Sequence, residues 1–190
     1  MRNGLILLLI GLSGCLIVQS EQPFYTSDLK TALPAVLGEW DETDTPRNDT
    51  GRRIRETWVV RQETDYRVRV YGSDGPAESR LVFFTVAGRL YCDWQHEQDT
   101  THQLYQTTLA RGQLTLTPLD GDWLTNAIAH ATVDLPPPAC VHSNWTFTAS
   151  SQQWVAFLRQ HGGQDGVLAK GQAITLKKSP DQNFVPLRRS

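Results

Sequence analysis

Between positions 52 and 117 apolar and polar residues alternate along much of the chain, the period of half-buried β-strands. From Arg52 to Arg61, Ile54, Glu56, Trp58 and Val60 fall on one side, and Arg53, Arg55, Thr57 and Val59 on the other. After the turn Glu63-Thr64-Asp65, residues Tyr66, Val68 and Val70 share a face opposite Arg67 and Arg69. This pattern predicts antiparallel strands with one packed and one solvated side; the same arginines pointing inward would form an anion site. The stretch Glu78–Ala87 differs, because Leu81, Phe83 and Ala87 alternate with Val82, Phe84 and Val86, so that both faces are apolar. It predicts a central strand covered on its second side by a helix. Gly88-Arg89 predicts a hairpin turn into a strand at Leu90–Trp94. Further strands are expected at His102–Leu109 and Gln113–Pro118, joined by Arg111-Gly112, and at Trp145–Ala149 and Ala173–Lys177.

The period changes to that of a helix in two places. Asp120 is a candidate N-cap, and Leu124, Ala127, Ile128 and Ala131 recur on one face, predicting a helix over Asp120–Ala131. Ser150-Ser151-Gln152-Gln153 has the form of a capping box, and Trp154, Phe157 and Leu158 share a face of a helix that runs to Gln160 and is stopped by Gly162-Gly163. A shorter helix is expected from Ser27, with Leu29 and Leu33 on one face and Pro34 ending it. Pro136-Pro137-Pro138 predicts a stiff crossover. These elements amount to an α+β fold that is mainly antiparallel β: a curved sheet or barrel of six to eight strands with two or three short helices. One globular domain is expected over residues 29–178, followed by a loose tail at 179–190.

The first fifteen residues stand apart. Arg2 precedes the apolar run Leu5–Ile10, which is too short to span a bilayer, and small residues follow. That is the layout of a secretory signal. Leu12-Ser13-Gly14-Cys15 resembles the lipobox of bacterial lipoproteins. The resemblance implies that residues 1–14 are removed as a signal peptide and that Cys15 becomes the first residue, carrying fatty acyl chains such as palmitate. The protein would then be membrane-anchored in the cell envelope, in the outer membrane facing the periplasm where the host has two membranes, with residues 15–28 as lipidated N-terminus and tether. Leu37-Gly38-Glu39-Trp40 similarly resembles the G-x-W motif opening the first strand of lipocalin-like barrels, which implies that Trp40 closes a barrel floor. The second half of the chain is similar in layout to uncharacterised bacterial lipoproteins, which implies no mechanism.

Composition narrows the function classes. With 18 Lys+Arg against 20 Asp+Glu, interspersed, no nucleic-acid-binding surface or polybasic patch is indicated. Six Trp, six Phe and five Tyr indicate large aromatic packing units. Cys92 and Cys140 are an even number in an oxidising compartment and are expected to pair, the alternative being two reduced thiols; the bridge would close a loop of roughly 50 residues and contribute on the order of 4 kcal/mol. His96, Glu97 and His102 lack the spacing of a helical zinc motif. Ser27–Lys30 reads S-x-x-K without the accompanying elements of that enzyme class, and no nucleophile elbow, phosphate loop or dinucleotide fingerprint occurs. The expectation is therefore a non-catalytic protein without cofactor or metal. It would bind a small apolar ligand inside the barrel, with Trp40, Trp58, Tyr66, Phe83 and Tyr105 as lining candidates, or engage an envelope protein. Its alternative is a structural or assembly lipoprotein with a filled core, and a metal-dependent enzyme ranks below both. A lined void above about 300 Å³ would favour the ligand, and a packed interior would sink it.

Overall fold

A computed structural model describes residues 17–43, 56–62, 65–72, 75–141 and 144–180. Cys15, Arg53 and Arg55 lie outside the described residues. The strands are β1 (Gln19–Ser20), β2 (Gly38–Glu42), β3 (Thr57–Gln62), β4 (Tyr66–Gly72), β5 (Gly75–Val86), β6 (Arg89–His96), β7 (His102–Ala110), β8 (Gln113–Pro118), β9 (Ala139–Val141), β10 (Asn144–Phe147) and β11 (Ile174–Lys178). The helices are α1 (Gly121–Ala129) and α2 (Ser151–His161). Strands β2 to β8 pair in sequence order, β11 joins β8 to β2, and every pairing in this ring is antiparallel. The result is a closed eight-stranded antiparallel β-barrel.

Strand alternation explains why two cores form. Inward-pointing residues, among them Trp40, Trp58, Val60, Val68, Leu81, Phe83, Cys92, Leu114 and Leu176, fill the barrel. The doubly apolar β5 and its neighbours β6 and β7 turn Phe84, Val86, Tyr91 and Leu104 outward, where they meet Leu124 of α1 and Trp154, Phe157 and Leu158 of α2. An exposed face of that size would be costly, at about 25 cal/mol per Å² of apolar surface; the helices cover it as the sequence predicts. The predicted caps are present. Asp120 Oδ1 accepts from Trp123 N at 2.8 Å, and Ser150 and Gln153 form the reciprocal capping box. Two-residue turns at Ala87-Gly88 and Arg111-Gly112 have positive φ at both positions, which matches the twist of a tight hairpin. The first turn therefore sits one residue before the predicted Gly88-Arg89, and Arg89 pairs with Val86.

Three expectations are corrected. The helix from Ser27 to Leu33 is only a 3-10 turn, Ser27–Leu29, with a second one at Pro34–Val36. Between them Lys30 bridges Phe84 and Thr31 N donates to Phe83 O, so the sheet takes the backbone that a helix would need. Residues 17–28 are not a free tether: Val18, Ser20 and Phe24 are buried, and β1 pairs with β7 and with β10. The Cys92–Cys140 bridge is absent, and Cys92 is a buried free thiol. Its strand β6 and the β9 that holds Cys140 are separated by β7, β1 and β10. Strands lie about 4.8 Å apart, so three intervening strands exceed the roughly 7 Å that a disulfide can span.

The buried thiol has a measurable consequence. Burial, with a smaller contribution from Asp93, pushes its pKa well above the ordinary 9.0, and burial likewise raises the Tyr105 phenol above 10.0. A group whose folded pKa is raised contributes stability that is complete below its unfolded pKa and is lost as pH rises toward the folded value. The melting temperature is thus expected to hold to about pH 8.5 and to fall from near pH 9 upward, the onset moving toward pH 10 in Cys92→Val. Iodoacetamide should label Cys92 only after denaturation; labelling of the folded protein at that residue would contradict its burial.

Candidate functional site

The barrel has two unlike ends. At one, the segment before β2 folds across the opening: Leu33, Val36 and Leu37 pack on the inner core, Leu33 N donates to Tyr66 Oη at 2.6 Å, and Trp40 Nε1 donates to Val36 O at 2.7 Å. This end is closed, with Trp40 in it. Trp40, Tyr66 and Phe83 are buried in the inner core. Of the five lining candidates, Trp58 and Tyr105 line the cleft at the other end.

That cavity is the other end, a half-open cleft of about 380 Å³. Its floor is aromatic. Trp58 and Trp94 meet edge to face at 4.8 Å, and Tyr105 lies 5.5 Å from Trp94. One step outward along the same inward-facing register comes a polar ring of Glu42, Glu56, Ser79, His96 and Gln103. Glu42 and Glu56 sit opposite each other where β2 leaves the barrel and β3 enters it, with Glu42 N donating to Glu56 O at 3.0 Å. His96 Nδ1 is 2.9 Å from Ser79 Oγ, and Tyr105 Oη donates to Gln103 Oε1 at 2.8 Å, so part of the ring is already held in place. Among the described residues the buried indole N–H groups of Trp58 and Trp94 find no acceptor, and an unsatisfied buried donor costs about 1–3 kcal/mol.

Sequence reasoning missed Glu42, Glu56, Trp94, His96 and Gln103 as one group. Alternation put Glu56 on the side of Trp58, which was a signal; the ring itself needs the register of five strands.

Other predicted chemistry resolves into structure. His96 faces the cleft whereas His102 faces the outer core, and among the described residues no three metal-ligating side chains come together. His102 Nδ1 donates to Asp93 Oδ1 at 2.7 Å, and Asp93 Oδ2 accepts from Phe24 N at 3.0 Å. Ser20 pairs with His102 in the β1–β7 register, but its hydroxyl accepts from Trp154 Nε1 at 2.9 Å and is buried, so no substrate reaches this trio. Arg67 and Arg69 point outward and form ion pairs with Glu97, at 3.1 Å, and with Glu78. Lys30, the lysine of the S-x-x-K stretch, is bound to Asp65 at 2.9 Å. No described helix is long and apolar enough to cross a membrane.

Comparison with protein-family models, with curated proteins and with solved structures finds no match to this chain.

Proposed function

We propose that this chain is a non-catalytic, lipocalin-like binding protein of the cell envelope, held to the membrane by a lipid on Cys15, that carries a small amphipathic ligand in the mouth of its barrel. The observation that carries this reading is the cleft itself: an aromatic floor below a polar ring, with a volume inside the range of ligand pockets. The floor suits an apolar or cationic group, and the ring suits a polar one. Ligand depth is limited to the mouth, because Trp40, Tyr66 and Phe83 occupy the barrel below it. The filled depth favours a second reading, an assembly lipoprotein that uses only its outer surface.

Native mass spectrometry of protein extracted from its own membrane separates the two. The expected result is a bound small molecule on the wild-type chain that is lost in Ala77→Trp, since Ala77 is an exposed residue of the mouth and a tryptophan there fills the cleft without touching the core. Wild-type protein that carries only the covalent lipid of Cys15 would overturn ligand binding in favour of assembly. If Cys15→Ser left membrane association unchanged, the lipid anchor would be refuted independently.

A further inference from the structure

The mouth and the start of the described chain coincide. Ile17 lines the cleft, bridges Asp120 and is 42% exposed, one of two large apolar side chains so exposed among the described residues. Cys15 lies two residues upstream, and two residues of chain span at most about 7 Å in any conformation. A lipid on Cys15 therefore enters the bilayer beside the mouth and not beside the closed end. We infer that the mouth is apposed to the membrane surface and takes the zwitterionic, ammonium-bearing headgroup of a bilayer phospholipid; this rests on the lipid anchor and the mouth-binding reading above.

The ammonium half of such a headgroup has a counterpart: it meets the Glu56 carboxylate at the ring and the faces of the aromatic floor, which attract cations. An anionic headgroup without the ammonium is repelled by Glu56. Ile17 at the rim adds an apolar contact on the side from which the acyl chains come.

The test uses full-length protein whose acylation on Cys15 is verified by intact mass, in a Cys140→Ser background, reconstituted in phosphatidylethanolamine vesicles that contain headgroup-spin-labelled lipid. A bimane fluorophore is placed at Gln98→Cys, an exposed position beside the mouth that does not line the cleft, or at Ala35→Cys, an exposed position on the closed end. The mouth label is expected to be quenched several-fold more strongly than the closed-end label. Equal quenching, or the reverse order, overturns the apposition. Replacing phosphatidylethanolamine by phosphatidylglycerol should weaken mouth quenching, and Glu56→Gln should abolish the difference between the two lipids; quenching indifferent to headgroup overturns the ammonium assignment. A chain that retains its co-purified ligand while its mouth label stays unquenched would refute the membrane apposition and leave ligand binding in the mouth standing.

Discussion

Trp154→Ala is expected to destabilise the protein by about 3–5 kcal/mol, the range for deleting a large buried aromatic ring. The side chain is fully buried and contacts three rings: Phe24 at 4.6 Å, Phe147 at 5.5 Å and Phe157 at 5.8 Å. Those partners belong to the N-terminal segment, β10 and α2, so one residue joins three of the pieces that cover the barrel's outer face. Its indole N–H also donates to Ser20 Oγ, and removal leaves that buried hydroxyl with Gln22 N alone as donor. Domains of this size are stable by about 5–15 kcal/mol, so the loss is a large share of the total. At roughly 2–4 °C per kcal/mol the melting temperature should fall by about 6–20 °C. Trp154→Phe keeps most of the ring packing and loses the hydrogen bond, so its cost should be near 1 kcal/mol. Hydrogen exchange should show residues 17–29 opening before the barrel strands in Trp154→Ala. Uniform exchange across both layers would mean that the outer layer is not a separate unit.

This dependence follows from β5. Because Leu81 and Phe83 enter the barrel while Phe84 and Val86 leave it, the barrel carries an apolar outer wall that must be covered. That requirement was legible in the sequence, as was the identity of both covering helices, since a doubly apolar strand and a capping box are local signals. The N-terminal cover was not legible. β1 is two residues long and pairs with β7 and β10, which lie more than 80 residues further along the chain. No periodicity in Leu16–Asp28 announces such a partner. The short helix at Ser27 was misread for a related reason: local propensity was sufficient for a turn, and hydrogen bonds to β5 outcompeted its extension.

The cysteine pairing failed on topology. Parity of count and compartment argue for a bridge, but neither carries information on strand order, and β6 and β9 lie on different parts of the sheet. The mouth illustrates the opposite case. Its aromatic floor was half legible through Trp58 and Tyr105, and its ring was invisible because each polar member, taken alone, is an ordinary strand-end residue facing water. Only when closure of the barrel turns the ends of β2 and β6 and the starts of β3, β5 and β7 toward one axis do five separate residues become one chemical environment.

Asp93→Ala should cost about 2–6 kcal/mol, because it leaves two buried donors without acceptors at about 1–3 kcal/mol each. Asp93 is 1% exposed, and each of its carboxylate oxygens has one strong partner: His102 Nδ1 at 2.7 Å and Phe24 N at 3.0 Å. A carboxylate accepts, so His102 donates through Nδ1. The same group thus fixes β7 to β6 and ties the N-terminal segment onto the barrel. Truncation leaves the ring of His102 and the amide of Phe24 buried without acceptors, and a methyl group fills little of the space. Asp93→Asn retains the volume and one acceptor oxygen but presents an N–H₂ group to the second donor, so a smaller loss of about 1–3 kcal/mol is expected. In a double-mutant cycle with His102→Ala, the coupling should lie toward the upper part of the 0.5–3 kcal/mol range seen for residues sharing one network. Urea titrations of the four proteins measure it directly. Coupling near zero would show that Asp93 acts through the Phe24 amide alone and that His102 is held by packing.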